Sequence, residues 1–393
     1  MSLPPVHVLL VGVSTRALAQ SAARAGCEVT AVDAFGDLDQ QSVARVVAVR
    51  ETGKPYSAHR AVRLAETMSA DAVAYVSNLE NNLPLVARLA ERFQLLGNDT
   101  QALALARNPL HIMRVLRQAG VAFARVRATA PSPSDFRERA KSRRWLLKPR
   151  RSGGGNGVHT WRHGAILPRS AYLQERIDGP VGSIVFAADG SRAVPFGFSR
   201  QLCGEPALGV RGFQYCGSLM GHPARIGFGN PDLLRRATEV ADVLTAGCGL
   251  KGVNGIDFGI RSDSPCPFEV NPRPSASMEL AERAFGISVY RLHAEGSLGH
   301  VSGSSLEEML KGGGVYGKAV VHAREAVKAG DTRRWLDDAN ISDIPHAGER
   351  FSPGQPVCTV FATGRDAETC RTALLRRAER IYGSMKRSAR SSA

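Results

Sequence analysis

Two stretches of this chain complement one another chemically, and together they narrow the folds open to it. The first is Trp145-Leu146-Leu147-Lys148-Pro149, followed by Arg151-Ser152-Gly153-Gly154-Gly155-Asn156-Gly157-Val158. It reads as an apolar strand ending in a lysine, then a glycine-rich hairpin over 153–160. The second is Asn254-Gly255-Ile256-Asp257-Phe258-Gly259-Ile260, followed by Phe268-Glu269-Val270-Asn271-Pro272-Arg273-Pro274. A magnesium ion takes about six hard oxygens, a few from protein and the rest from phosphate and water. Glu269 and Asn271 are two apart, so a strand places them on one face, and a turn over 262–265 brings Asp257 alongside. Backbone N–H groups of a Gly/Ser/Asn hairpin can close over phosphate oxygens, because glycine permits the φ values and the close approach. Taken singly, each piece also reads as a flexible turn or a solvated strand edge. Their order and spacing favour a phosphate grip facing a metal grip.

The chain has 393 residues, enough for two or three packed domains. Its apolar content of 43% suits a globular enzyme, and no run of roughly 18 apolar residues marks a membrane span. An apolar strand follows the N-terminus with no basic region before it, so no signal peptide is expected. Seven cysteines without a C-x-x-C pair suit a reducing cytoplasm and give no zinc signature. Net charge is +15, but the basic residues are dispersed and aromatics are only 6%. That balance points to an anionic small molecule rather than nucleic acid.

The expected architecture is α/β and α+β. Strands at 6–11 and 28–32 flank a helix at 16–25, a βαβ start. Asp33 ends the second strand as a ribose-binding acid would, but only Gly12 of the dinucleotide glycine fingerprint is present. Further strands are expected at 45–49 and 72–76, and helices at 57–69 and 84–93. Ser14-Thr15-Arg16 and Ser77, Glu80 and Asn81 follow strand ends, where open sheets bind ligands. A helix at 109–118 precedes strands at 125–129, 144–148, 171–177, 182–187 and 192–199. A long helix at 231–246 leads into the metal strands. From Gly313 the chain turns β-rich, with strands at 315–321 and 356–362, and closes with a helix at 367–381. The boundaries read as 1–105, 106–300, 301–385 and a disordered basic tail over 386–393.

The paired grips resemble the nucleotide site of the ATP-grasp superfamily, whose members mostly join carboxylates to amines through acylphosphates. The resemblance implies a Rossmann-like pre-ATP-grasp domain, the ATP-grasp fold and a small C-terminal β-rich module. The segment Gly354 to Gly364 is similar to that module in purine-type and biotin-type carboxylases of the superfamily. By this resemblance ATP and Mg²⁺ (or Mn²⁺) are the cofactors, and Asp257, Glu269 and Asn271 hold the metal. Lys148, with Ser152, Gly153, Gly154, Gly155 and Asn156, grips phosphate. The backbone near Glu175 and Ile177 reads adenine, and Glu175 or Asp178 replaces the ribose glutamate, whose position holds Val181. A second family lysine falls on Pro109, leaving Arg107 as the nearest cation.

Arg273 corresponds to an arginine facing the acylphosphate. Arg200 and Arg211 are further candidates for clamping carboxylate or phosphate, and Asn254 and Ser275 for positioning substrate. The N-terminal pattern looks most like predicted ATP-dependent carboligases of methanogens and of bacteria with tetrahydromethanopterin-linked metabolism. That likeness implies a role in assembling a one-carbon cofactor. The expected partners are a small carboxylate and a small amine, with no nucleic acid or membrane, in a cytoplasmic protein for which a homodimer is one option. An ATP-dependent carboxylase and a non-catalytic nucleotide-binding protein are the alternatives.

Overall fold

The structure is a computed structural model and describes residues 6–390, apart from 54, 131–143, 163 and 312. The N-terminal part is a parallel sheet of β1 (His7–Val11), β2 (Glu28–Asp33), β3 (Arg45–Ala48), β4 (Ala72–Tyr75) and β5 (Gln94–Leu96), ordered β3-β2-β1-β4-β5. Strand alternation sends Leu9 and Val11 into a core with Val62, Val86 and Leu89. Val8 and Leu10 face Leu18 and Ala22, and also Tyr290 and Ala294 from the helix Val289–Ser297. This later helix therefore roofs the N-terminal sheet and ties it to the rest of the chain.

A second sheet of four strands, ordered β6-β9-β7-β8, comprises β6 (Val126–Arg127), β7 (Trp145–Pro149), β8 (His159–Thr160) and β9 (Ala171–Glu175). The third sheet contains β10 (Gly182–Asp189), β11 (Ala193–Cys203), β12 (Tyr215–Met220), β13 (Lys251–Arg261), β14 (Ser264–Asn271), β15 (Val315–His322), β17 (Ile341–Ser342) and β19 (Pro356–Gly364). Its order is β14-β13-β10-β11-β12-β15-β19-β17. A small pair, β16 (Val327–Lys328) with β18 (Arg350–Phe351), completes the strands. One face of the large sheet packs on the helix Leu233–Cys248 through Phe198, Phe258, Ala237 and Leu244. The other covers Val185, Val253 and Met220 with Met278 and Leu280.

The expected boundary near residue 300 falls inside one continuous sheet, because β12 pairs with β15 along Gly217–Met220. A Cβ on Gly217 would lie 2.2 Å from the Lys318 carbonyl oxygen, so glycine lets the two backbones meet. Sequence patterning misses β12 for the same reason, since Gly217 and Ser218 interrupt its apolar run. The last helix, Ala367–Arg390, extends well beyond the expected end at 381. It takes in most of the tail expected to be disordered, and 391–393 lie outside the described residues. Among the described residues no helix is long and apolar enough to cross a membrane.

Candidate active site

Antiparallel pairing of β13 with β14 sets Asp257 directly opposite Glu269, and Gly255 opposite Asn271. The Asn271 amide donates to Asp257 Oδ2 at 3.1 Å. Lys148, at the end of β7, reaches across from the four-stranded sheet, with Nζ 3.3 Å from Glu269 Oε2 and 5.2 Å from the centre of the Phe268 ring. Arg107 approaches the other oxygen, Nη1 to Glu269 Oε1, at 3.7 Å. The expected metal ligands, the phosphate lysine and the replacement cation thus converge on one point.

Electrostatics separate the two carboxylates. Burial raises the Asp257 pKa, and the Glu269 charge raises it further, to about 6, against hydrogen bonds from Ser183, Gln201 and Asn271. For Glu269, burial is outweighed by Lys148 and Arg107, and its pKa falls below the ordinary carboxylate value. Burial acts to lower the Lys148 pKa, but Glu269 overrides it and the ammonium is held more firmly. Among the described residues, no group of three or more His, Cys, Asp or Glu side chains is arranged to hold a metal ion. Two facing carboxylates and an amide instead suit a hard divalent ion that takes its remaining oxygens from phosphate. The donor set fits magnesium in that sense. Arg107 Nε, buried with no partner, is a donor still to be satisfied.

Lys148, Arg107 and Glu269 form the polar end of a cleft of about 660 Å³. Its other end is apolar, walled by Ile112, Met113, Leu116, Phe123 and Val126. The glycine loop closes one side. Gly154 and Gly155 have φ of +63° and +77°, and the Tyr215 N–H donates to the Gly154 carbonyl at 3.0 Å. A Cβ on Gly155 would be 1.9 Å from the Phe213 carbonyl oxygen. Ser152 Oγ donates to the Asn156 carbonyl at 2.5 Å, so it shapes the loop, while Gly153 lines the cleft. Gln174 is a lining residue that sequence reading overlooks. Its amide donates to the Phe268 carbonyl at 2.8 Å and links β9 to β14. A glutamine inside a wholly buried strand was the available signal.

Arg273 is buried beside this cleft. Its Nε donates to Glu80 Oε1 at 2.9 Å, and its Nη2 is 3.4 Å from Asn271 Oδ1. Arg107 Nη2 donates to Asn81 Oδ1 at 2.8 Å and to the Ser152 carbonyl at 3.0 Å. Glu80 and Asn81, expected as substrate contacts, therefore orient the two site arginines from the N-terminal part.

Other expectations are corrected. Arg200 pairs across the sheet with Gly182, which pairs with Phe258, so it projects from the face opposite Asp257, toward Gly227. Arg211 is exposed on the loop after Gly209 and does not line the cleft. Glu175 is consumed structurally, since its carboxylate meets Arg261 at 3.0 Å and the Arg125 N–H, and its own N–H donates to the Arg125 carbonyl. Asp178 is an exposed partner of Arg176 and Arg144, and Ile177 packs over Gly259. Asn254 is fully buried, accepting from Asn98 and donating to the Gly252 carbonyl. Asp33 accepts from Thr15, Phe35 and Gly36, so the loop occupies both its oxygens and none is open to a ribose.

A buried ionic knot was not anticipated at all. Arg16 binds both oxygens of Glu279, and both of Asp343 at 2.9 and 3.1 Å. Lys318 Nζ donates to Glu279 Oε2 at 2.6 Å. A single lysine in the apolar run of β15 was the clue, because a charge inside a buried strand requires a partner.

The cleft thus combines a facing acidic pair on one sheet, a lysine from a second sheet and a glycine loop over the gap. Residues 106–277 match the family model described as the ATP-grasp domain, and the chain carries an ATP-grasp domain over these residues. No curated protein sequence matches the chain. Among solved structures, the biotin carboxylase domain of 2-oxoglutarate carboxylase from Hydrogenobacter thermophilus, a dimer in complex with MgADP, ADP and bicarbonate, covers 93% of this chain and 87% of its own, at 14% identity and a TM-score of 0.68. A biotin carboxylase from Campylobacter jejuni covers 92% and 88%, at 15% and 0.70. N5-carboxyaminoimidazole ribonucleotide synthetase from Thermotoga maritima covers 95% and 98%, at 17% and 0.66. At these identities the likeness establishes the fold.

Proposed function

We propose that this chain is an ATP-dependent ligase that activates a carboxylate as an acylphosphate and passes the acyl group to an amine. The observation that carries this reading is the convergence of Lys148, Arg107 and Glu269 at the polar end of a cleft whose other end is apolar, with Asp257 and Asn271 beside Glu269 on the same strand pair. The apolar end suits a base, and the polar end a polyphosphate. Asp257, Glu269 and Asn271 would hold Mg²⁺, which, when bound, neutralises phosphate charge. Lys148 and Arg107 would orient phosphate oxygens, Arg107 through its planar fork. The substrate carboxylate attacks the terminal phosphorus, and ADP leaves. The amine lone pair then attacks the acyl carbon, its bond to the phosphate oxygen breaks, and the nitrogen's surplus proton passes to solvent. Both steps build anionic charge, which Arg273 is placed to stabilise.

The test is substrate-dependent phosphate release from ATP across a panel of carboxylates and amines, beginning with glutamate and other amino acids. Release that requires both an acid and an amine supports the ligase. ATP binding with no turnover anywhere on the panel would reduce the chain to a nucleotide-binding protein. A second reading, an ATP-dependent carboxylase using bicarbonate as the acid, is favoured by the likeness to the Campylobacter and Thermotoga proteins over nearly the whole chain. Phosphate release that requires bicarbonate would select it.

A further inference from the structure

A second, larger cavity of about 1380 Å³ opens on the other side of Arg273, among the N-terminal sheet, the helix Met278–Phe285 and the C-terminal strands. Much of its wall is apolar, including Phe35, Val320, Pro345 and Phe351. Its polar lining is mostly self-satisfied. Arg16 and Lys318 are taken up by Glu279 and Asp343, Arg273 by Glu80, and Glu282 by Arg24. Two groups are not.

Asp37 is only 6% exposed and lines this cavity. It stands at the N-cap of the short helix Leu38–Gln41, where an aspartate ordinarily accepts a backbone N–H, yet its carboxylate makes no capping bond. Among the described residues its carboxylate receives no hydrogen bond; Arg16 attracts it from a distance, while Asp343, Asp33 and Asp39 repel it. Thr359 lines the same cavity 1% exposed, and its hydroxyl oxygen is also unpartnered. A buried carboxylate without a donor is costly, so it marks a place where a donor is meant to arrive.

The sign of that donor follows from the surrounding charge. The cations lining the cavity are Arg16, Lys318 and Arg273, and the carboxylates lining it are Asp37, Glu279, Glu282, Asp343 and Glu349, so carboxylates are in excess. Among the described residues, no group of three or more His, Cys, Asp or Glu side chains around this cavity is arranged to hold a metal ion. The missing positive charge therefore belongs to a ligand.

We propose that this cavity binds the amine substrate in its ammonium form, that the substrate has a largely apolar body, and that the Asp37 carboxylate receives the ammonium group and takes one proton from it, freeing the lone pair that attacks the acyl carbon. The assignment of the ligand as substrate rests on the ligase reading, whereas its chemical class rests on the cavity. Arg273 lines the same cavity and borders the glycine loop, with its Nη2 3.9 Å from the position of a Cβ on Gly153, so a ligand here abuts the nucleotide cleft.

The test uses three compounds of similar skeleton: phenethylamine, 2-phenylethanol and 3-phenylpropionate. Binding to the full chain is measured by calorimetry or saturation-transfer NMR, with and without ATP and Mg²⁺. Phenethylamine should bind tighter than 3-phenylpropionate by about tenfold or more, the scale of one hydrogen bond to a charged group. Asp37→Asn should remove that preference, and Thr359→Val should weaken the amine to a smaller degree. Equal or tighter binding of the carboxylate by the wild-type protein would overturn the proposal, and this needs no variant to fold. An undiminished amine preference in folded Asp37→Asn would overturn it as well. ATP affinity, measured separately, shows whether the ligase reading fails. An amine preference without ATP binding would leave the cavity's chemistry standing and remove its role in ligation.

Discussion

The molecule contains two clusters of buried charge, and they are built to opposite specifications. In the Arg16 knot nearly every valence is closed. Arg16 is bidentate to Glu279 and to Asp343, Lys318 completes Glu279, and backbone N–H groups of Asp343 and Ile344 satisfy Asp39. Burial acts to raise the Glu279 pKa, but Arg16 and Lys318 hold it far below the ordinary carboxylate range. In the nucleotide cleft the valences are open. Asp257 shares its surroundings with a second carboxylate, Arg107 Nε has no partner, and Lys148 spans a gap between two sheets. Closed charge fixes how the N-terminal, central and C-terminal parts meet. On the proposed reading, open charge awaits phosphate and a cation. The distinction lies chiefly in unmet hydrogen-bonding capacity, since both clusters are mostly buried and each has one partly exposed carboxylate.

The largest expected effects fall in the open cluster and on turnover. Asp257→Asn and Glu269→Gln each remove one anionic metal ligand and should lower substrate-dependent phosphate release by roughly a thousandfold or more, on the scale of losing a metal's electrostatic contribution. Thermal unfolding should change little, because Asp257→Asn relieves repulsion between neighbouring carboxylates. Rates near wild type in either variant would remove the metal assignment.

In the closed cluster the loss should fall on stability. Arg16→Ala leaves Glu279, Asp343 and Asp39 facing one another with only Lys318 for compensation. Breaking such a buried set typically costs about 3–5 kcal/mol. Denaturant unfolding reads this directly, and a variant as stable as wild type would mean the knot is not a structural clamp. Arg273 belongs between the clusters, held by Glu80 yet next to Asn271. Arg273→Lys keeps the charge and loses the fork, so turnover should fall roughly a hundredfold, about 3 kcal/mol, with ATP affinity kept. Lost ATP affinity at an intact rate would make Arg273 a nucleotide ligand.

How legible each cluster was follows from its sequence span. Glu269 and Asn271 declare themselves by spacing on one strand, and Asp257 lies one hairpin away. Lys148 stands at a strand end before glycines, so its pairing with that hairpin could be reasoned from chemistry. The knot joins positions 16, 279, 318 and 343, which no local pattern links, and only the assembled sheet order brings them together. Arg200 shows the opposite failure. It lies in the right strand, but one residue of register separates it from Gln201 on the Asp257 face, and sequence alone did not fix that register. Glu175 shows that a carboxylate in the hinge strand is equally able to pin neighbouring strands, as it does through Arg261 and Arg125.

A neutral buried group offers a third term in the comparison. His293 accepts the Val253 N–H at Nδ1 (3.0 Å), so its proton is on Nε2, facing the Leu96 carbonyl at 3.3 Å. Burial pushes its pKa down to about 4. The folded value lies below the unfolded one, near 6.5, so unfolding takes up a proton between them. Stability from this group is therefore full above pH 6.5 and is lost as pH falls toward 4, by about 2 kcal/mol between pH 7.5 and 5. His293→Gln should flatten that part of the stability–pH curve. An unchanged slope in the variant would place the acid sensitivity elsewhere.

The smallest effect tests the comparison most sharply, because it removes a cation from the open cluster. Lys148→Ala deprives Glu269 of its nearest partner, as Arg16→Ala does for Glu279. The consequences should differ. Glu269 is about one-fifth exposed and keeps Arg107 at 3.7 Å, so water and a second cation remain to it. The unfolding free energy should therefore fall by no more than about 1 kcal/mol, in line with a partly solvated pair. Nucleotide affinity should fall by about tenfold, the scale of one charged hydrogen bond to phosphate. Calorimetric titration with ATP and Mg²⁺, set beside denaturant unfolding of the same variant, reads both. If Lys148→Ala instead unfolds the protein as severely as Arg16→Ala while the remaining folded fraction binds ATP normally, the cleft is a second structural knot. The division between closed and open charge would then fail.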